Sequence, residues 1–464
     1  MPSRSDEMLC DLDTRTGAVM RSARVRLASR FARVGAKLGP LAERRFRLFF
    51  VGQSVSLLGD GMTPLALSFA VLGLTGSAAD VGYVFAARMA PLVALLLVGG
   101  VVADRVSPRT VVIGSDLVRF GSQAALAALL VSGRAEIWHL IALQAVNGAA
   151  TGFFFPAITG VAPRVVSRER LQQANALRNL AASGGEIAGP AVAGILVATV
   201  GAGWALAVDA ATFGVSAAFL AAVKLPRHDA LPRQSFLRDL RDGWDEFRGR
   251  TWLWSGVVAA GLGNMVWAAF TVLGAVVSKQ SLGGAGAWAL ILSSLSAGAF
   301  VGGLLALRVH PRRPFVAAFA AYLLLPIPCV LLALELSPFV IAAGALAAGG
   351  GLIFGNTVWE TTLQEQIPAA ALSRVTAYDW LGSLALQPLG FALVGWVSGT
   401  VGVAPTLWFA AAALVATSAS VLSVPSVRAL ERRGPADVAR GERVAGSADE
   451  CGPAASPKTR QTAD

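Results

Sequence analysis

Charged side chains are sparse in this 464-residue chain, at 14% Asp, Glu, Lys and Arg against 55% hydrophobic residues. Those lying inside long apolar runs therefore stand out. Asp60 sits in Leu58-Gly59-Asp60-Gly61-Met62-Thr63-Pro64, Arg88 in the next run, and Asp116 with Arg119 in the one after. Gln144, Asn147, Glu186, Asp209, Asn264, Trp267 and Gln387 follow in later runs. An ionisable group in mid-hydrocarbon is costly to hold, and it serves the passage of an ion or a substrate by default. Asp60 lies about 12 residues into its run, near the midplane at ~1.5 Å per helical residue. Such a carboxylate can carry a proton between the two sides or be held as an ion pair with Arg88, and the two roles are compatible. Glu186 is the second acid near the midplane. Asp209, nearer the outer end, is as suited to packing as to transport. Gln144 and Asn147 either line a pocket or bond helix to helix, and Asn264, Trp267 and Gln387 pose the same choice.

The chemistry that is missing narrows the function. No zinc-ligand spacing, paired-aspartate motif or Ser/His/Asp set is visible, and His139, His228 and His310 are isolated. None of the lysines, Lys37, Lys224, Lys279 and Lys458, follows a phosphate-binding glycine loop. Cys10, Cys329 and Cys451 are too dispersed for a disulfide framework or a metal site. We therefore expect no enzyme, no metal, no cofactor and no ATP-driven pump. The net charge of +11 would suggest nucleic acid in a soluble protein. Here loop arginines account for it, and no nucleic-acid partner is expected.

The elements that position these residues are apolar runs of about 20 residues, the length needed to cross a bilayer. Twelve can be drawn, at 46–73, 79–102, 110–132, 137–163, 177–200, 203–223, 252–276, 285–308, 314–336, 338–362, 374–399 and 403–425. They are continuous rather than alternating, so the expected fold is an all-α membrane protein of twelve transmembrane helices in two six-helix bundles. The bundles fall at 46–223 and 252–425, joined by a basic linker at 224–251. Residues 1–45 form a basic tail, in which Leu27, Phe31, Val34 and Leu38 at helical spacing give either a surface helix or a solvated segment. Residues 426–464 are polar and rich in Ala, Gly and Pro, a composition expected to stay disordered. Sixteen Lys and Arg residues fall on the connections after even-numbered runs, against Arg134 and Lys279 on the other side. This asymmetry places both termini and the linker in the cytoplasm.

Between the second and third runs stands Gly99-Gly100-Val101-Val102-Ala103-Asp104-Arg105-Val106-Ser107-Pro108-Arg109. A near copy stands between the eighth and ninth, Gly302-Gly303-Leu304-Leu305-Ala306-Leu307-Arg308-Val309-His310-Pro311-Arg312. A constant offset of 203 residues relates Gly100 to Gly303, Arg105 to Arg308, Arg109 to Arg312, and Met62 to Met265. The chain thus reads as two copies of one unit. The first copy resembles the loop signature G-x-x-x-D-R-x-x-R-R of the major facilitator superfamily in Gly100, Asp104, Arg105 and Arg109, departing at Pro108. The run around Gly185, Gly189, Pro190 and Gly194 resembles that family's antiporter motif G-x-x-x-G-P-x-x-x-G. Phe155-Pro156-Ala157 and Arg170-Leu171-Gln172-Gln173-Ala174-Asn175-Ala176-Leu177 resemble the branch of macrolide efflux pumps and the enterobactin exporter.

The resemblance implies alternating access, with the loop as a cytoplasmic gating latch. Asp116 and Arg119 are expected to join Asp104, Arg105 and Arg109 in that latch, with Glu360, Glu365, Arg374 and Asp379 as an asymmetric counterpart, because Leu307 stands where Asp104 would be. Where an arginine often begins the fourth-helix motif, this chain has Gln144. Ala181, Gly185, Gly189 and Ala193 form a small-residue face, with Ser294, Gly298, Gly302 and Ala306 as a candidate partner face. Gly59, Gly61 and Pro64 are expected to let the first helix bend or unwind, and Pro190 to kink the fifth. The function expected is proton-coupled export of a small amphipathic compound such as an antibiotic, drug or siderophore, by a monomer in the cell membrane. An uptake carrier of the same fold, or a membrane-embedded enzyme, are the alternatives.

Overall fold

The computed structural model describes residues 39–223 and 244–430. The amphipathic stretch Leu27 to Leu38, most of the basic linker and the C-terminal tail from residue 431 lie outside the described residues. Helix is the only regular structure among those described, as hydrocarbon demands of a backbone that must satisfy its own polar groups. The first half holds α1 (Arg44–Leu74), α2 (Ala78–Arg105), α3 (Pro108–Val131), α4 (Ile137–Val165), α5 (Leu171–Thr199) and α6 (Ala202–Ala222). The second holds α7 (Thr251–Gln280), α8 (Ala285–Ala306), α9 (Pro314–Tyr322), α10 (Pro326–Ala333), α11 (Pro338–Gln366), α12 (Ala369–Ala385), α13 (Gln387–Val401), α14 (Val403–Ser423) and the short α15 (Pro425–Ala429). Eleven helical stretches among the described residues are long and apolar enough to cross a membrane. The 24-residue α3 falls short of that apolarity because it carries Arg109, Asp116, Arg119 and Gln123, yet it packs between α4 and α6 inside the first half.

Proline interrupts the helix within two of the expected runs, each of which remains one membrane-length span. The ninth run breaks into α9 and α10, because Pro326 has no N–H for the carbonyl of Tyr322. The Leu325 N–H turns back to that oxygen instead, at 3.0 Å. The eleventh run breaks at Leu386, two residues before Pro388. Conversely, α1 runs unbroken through Gly59, Gly61 and Pro64, and α5 through Pro190. The expected unwinding of α1 does not occur. Its Thr63 hydroxyl donates to the Gly59 carbonyl at 3.3 Å.

Within the first half, α1 packs on α5 and α6, α2 on α4, and α3 on α4 and α6. In the second, α8 packs on α11, and α7 on α12, α13 and α14. The two small-residue faces do not meet each other. A side chain at Gly185 would meet Leu57 of α1 and one at Gly189 would meet Gly61, whereas Gly298 and Gly302 abut Leu346 and Gly350 of α11. Of the three glycines of the antiporter-type motif, Gly194 is the one that abuts α8, at Ala289.

Among the described residues the halves join mainly through α2 with α13 and α5 with α8. One apolar core draws on both halves, with Met62 to Leu72, Val84 and Phe85 packed among Phe270, Trp288, Phe391 and Leu407. At the opposite end each half keeps its own core. One is built on Phe46, Phe49 and Phe154, the other on Trp252, Phe315 and Trp359. The molecule is therefore a pair of bundles closed at the α1–α2 end and parted by a cleft toward the arginine-rich connections.

Candidate functional site

In the first half the scattered polar residues of five helices converge. Asp60 projects from α1 between two glycines that let its neighbours come close. A side chain at Gly59 would strike Thr212 and Asp209 of α6, and one at Gly61 would strike the Gly185 carbonyl of α5. The Asp60 carboxylate accepts a hydrogen bond from Nη2 of Arg119, and Nη2 of Arg88 stands 3.8 Å from the same oxygen. Asp60 and Arg88 remain 30% and 17% exposed to the cleft, while Arg119 is 1% exposed. Arg119 also reaches Oδ1 of Asp116 at 3.4 Å, and its guanidinium lies over the rings of Phe213 at 3.8 Å and Phe154 at 4.9 Å. Ser216 donates to the second oxygen of Asp116 at 2.7 Å.

Behind these three ion contacts lies a fully buried amide relay. Oδ2 of Asp209 accepts from Thr63 at 2.8 Å and from Gln123 at 2.6 Å, and Gln144 donates to Oε1 of Gln123 at 2.8 Å. Asn147 donates to Ser122 at 3.5 Å. Asp209 Oδ1, Gln144 Oε1 and Asn147 Oδ1 are buried without a hydrogen-bond partner. The network thus contains three carboxylates against two guanidinium groups.

The second half differs in kind. A cavity of about 310 Å³ opens among α7, α9, α11, α12 and α14. Trp267, Tyr322, Trp359 and Trp380 line it, along with Glu360 and Asp379. The Trp359 indole N–H donates to the Asp379 carboxylate, with both oxygens at 3.2 Å. Tyr322 donates to Asn356 at 2.7 Å, and Asn264 of α7 donates to the Ser383 carbonyl of α12 at 2.9 Å. The break before Pro326 ends α9 at Tyr322, which places that ring on the cavity wall.

Several expected groupings are redrawn. Asp116 and Arg119 belong to the Asp60 network and not to a loop latch, because they stand about two turns along α3 from Arg109. Arg109 instead donates to the carbonyls of Leu220 at 3.1 Å and Ala221 at 2.6 Å, capping α6. The side chains of Asp104, Arg105 and Arg374 lie outside the described set. Of the motif's glycine pair, Gly99 is pressed against the Gly152 carbonyl, whereas a Cβ added at Gly100 would meet, among the described residues, only Pro156, at 4.0 Å. Glu360 and Asp379 face the cavity rather than forming a latch counterpart, and Glu365 lines a separate pocket beside His310 and Pro311. Glu186 is exposed and makes no ion pair among the described residues. It lies between the α1-facing line of Gly185 and Gly189 and the α8-facing line of Ile187 and Gly194, on the side of buried Pro190 and Ala193. Trp267 stacks on Phe270 at 4.5 Å, and Gln387 holds a buried oxygen without a partner.

Sequence reading passed over Gln123, Thr212, Ser216, Trp359 and Trp380. A signal exists in the spacing of Asp116, Arg119 and Gln123 on one face of α3, matched by Asp209, Thr212 and Ser216 on α6.

Comparison with known proteins places this architecture. The chain is 27% identical over 422 residues to the multidrug efflux pump Tap of Mycobacterium tuberculosis, covering 84% of this chain and 95% of that protein. It is 22% identical to macrolide efflux protein A of Streptococcus pyogenes, covering 79% and 91%. It is 26% identical to the enterobactin exporter EntS of Shigella boydii, covering 75% and 84%. Among solved structures, a bacterial homologue of the human lysosomal transporter Spinster, in an inward-facing and unoccupied conformation, superposes with a TM-score of 0.67 at 14% identity, over 84% of this chain and 98% of that one. The nucleoside transporter NupG superposes at 0.63 and 14% identity, over 82% and 98%. These two show the fold alone. The sequence profile of the Major Facilitator Superfamily matches residues 49–386, and the chain is a multi-pass membrane protein belonging to that family of transporters.

Proposed function

We propose that this protein is a secondary active exporter that moves a small amphipathic compound outward by alternating access in exchange for protons. In this reading it is a monomer in the cell membrane with both termini in the cytoplasm. The observation that carries the reading is the first-half network, where Asp60, Asp116 and Asp209 outnumber Arg88 and Arg119 beside a cleft. One buried negative charge is left over, and a proton is the smallest ion able to neutralise it. The efflux names of the sequence relatives support the direction. The cleft opens toward the arginine-rich connections, which under the charge asymmetry face the cytoplasm, where an exporter collects its cargo. Glu186, on the cleft side of α5, is the second candidate proton carrier.

The test is uphill extrusion from cells and from proteoliposomes with an imposed pH gradient. Asp60→Asn, Asp209→Asn and Glu186→Gln are compared with the wild type. At least one amide variant should lose gradient-driven extrusion yet keep downhill movement of substrate. Uphill extrusion that survives in all three, and still responds to collapse of the gradient, rules out proton coupling through these groups. Cysteines at Ser77 and Ser235 check the orientation. Ser77 should react with an impermeant reagent from outside and Ser235 only from inside, and the reverse pattern inverts the transport direction as well.

A further inference from the structure

The second-half cavity differs from the first-half network in one respect that bears on cargo. Its carboxylates have no cationic partner among the described residues. Asp379 is 8% exposed, and its one donor among the described residues is the neutral Trp359 indole, although a carboxylate can accept about four hydrogen bonds. Glu360 makes no hydrogen bond or ion pair among the described residues and is open to the cleft. No Lys, Arg or His occurs among the described residues that line this cavity. Around the two acids stand the rings of Trp267, Tyr322, Trp359 and Trp380. Every arginine described in the first-half network is, by contrast, engaged with an acid there. A negative, aromatic-walled chamber in a low-dielectric setting attracts a cation twice over, through charge and through the electron-rich ring faces. Its volume of about 310 Å³ suits a small organic molecule and is much larger than a bare metal ion requires.

We propose that this cavity is the cargo site, and that the cargo is a lipophilic organic cation, its positive group set between Glu360 and Asp379 and its apolar body against the tryptophans. The proposal rests on the transport reading and narrows it, because anionic amphipathic compounds are disfavoured by the two acids. It also divides labour between the halves, with proton exchange beside Asp60 and cargo recognition beside Asp379.

The experiment is equilibrium binding of radiolabelled tetraphenylphosphonium to the purified full-length protein in detergent. Tetraphenylborate, of the same shape and opposite charge, serves as competitor. Tetraphenylphosphonium should bind saturably and tetraphenylborate should fail to displace it. Glu360→Gln and Asp379→Asn should each weaken binding at least tenfold, and the double variant should show no saturable binding. Trp380→Ala should weaken it without changing the preference for positive charge. Glu335→Gln, in the α10–α11 connection away from the cavity, should bind as the wild type does. Asp379→Asn disturbs the Trp359 contact and can compromise folding. Glu360→Gln neutralises a carboxylate that has no partner among the described residues, so that variant decides the matter if Asp379→Asn cannot be purified. Equal displacement by tetraphenylborate, or wild-type binding in Glu360→Gln and in the double variant, overturns the proposal. Binding is read without a gradient, so failed uphill export with intact, charge-selective binding counts against the coupling reading and leaves the cation site standing.

Discussion

At the scale of single residues, Arg119 decides how the first half holds its charges. It faces Asp60 with one nitrogen and Asp116 with another, and its flat guanidinium fills the space over Phe213 and Phe154. A lysine offers one compact charge and no plane, so it cannot serve both carboxylates and both rings. Arg119→Gln leaves Asp116 buried without its counter-ion and Asp60 with Arg88 alone, and breaking a buried pair in this way costs about 3–5 kcal/mol. We expect Arg119→Gln to lower the thermal midpoint of the purified protein sharply and Arg119→Lys to lower it less. The triple change Asp60→Asn, Asp116→Asn, Arg119→Gln should recover part of the stability, because it removes Arg119 together with both acids it faces while leaving Arg88 without Asp60. Transport should be lost in all three. A wild-type melting profile for Arg119→Gln would show that the contacts carry little energy.

At the scale of elements, the repeated motif assigns its two glycines different jobs. Gly99 abuts the Gly152 carbonyl of α4, where an added Cβ would sit 2.4 Å from the oxygen. Its counterpart Gly302 meets the Gly350 carbonyl of α11 at 2.1 Å. The second glycine of each pair is roomier, with Gly100 4.0 Å from Pro156 and Gly303 3.6 Å from Ile353. Gly99→Ala and Gly302→Ala should therefore push α2 from α4 and α8 from α11, at about 1–3 kcal/mol each. Gly100→Ala and Gly303→Ala should be neutral or slightly stabilising, since alanine suits a helix interior better than glycine. Thermal unfolding of the four variants separates the two classes, and equal costs within each pair would contradict the packing. The sequence shows the repeat and the small-residue spacing, but spacing names a face and not its partner. That is why the Gly185 and Gly298 stripes, each legible, were expected to face one another and instead serve α1 and α11. Proline joints behave likewise. Pro326 and Pro388 break helices where Pro64 and Pro190 do not, and tertiary support distinguishes them, not residue type. The polar clusters were half legible. Asp60 with Arg88 follows from depth in neighbouring runs, whereas the contact of Trp359 with Asp379 joins helices with no local signal.

At the scale of the whole molecule, alternating access requires the closed end to open as the cleft shuts. The contacts that hold that end are few and identifiable. α2 and α13 approach through Gly82, whose added Cβ would lie 2.2 Å from the Phe391 carbonyl, and through Gly395, 2.1 Å from Cα of Ala79. Phe85 stacks on Phe391 at 5.3 Å, Ser293 donates to the Ile187 carbonyl at 2.9 Å, and Lys279 donates to the Leu72 carbonyl. The three atoms nearest to a Cβ added at Gly395 belong to the other half, at Ala78 and Ala79. Gly395→Val thus wedges the halves apart while disturbing neither bundle internally. A substitution that raises the energy of one conformation alone shifts the population toward the other by that difference. With Cys10, Cys329 and Cys451 replaced by serine, spin labels at Ser77 and Thr400 report the separation of α2 and α13 at the closed end. The wild type should give a short distance, and Gly395→Val should move most of the population to a longer one without lowering the yield of folded protein. A control pair within the first half, at Ser77 and Arg134, should not change. If Gly395→Val leaves the Ser77–Thr400 distance as it was, the α2–α13 contact is not the hinge-side seal that separates the two states, and the closure must be carried by α5 and α8 instead.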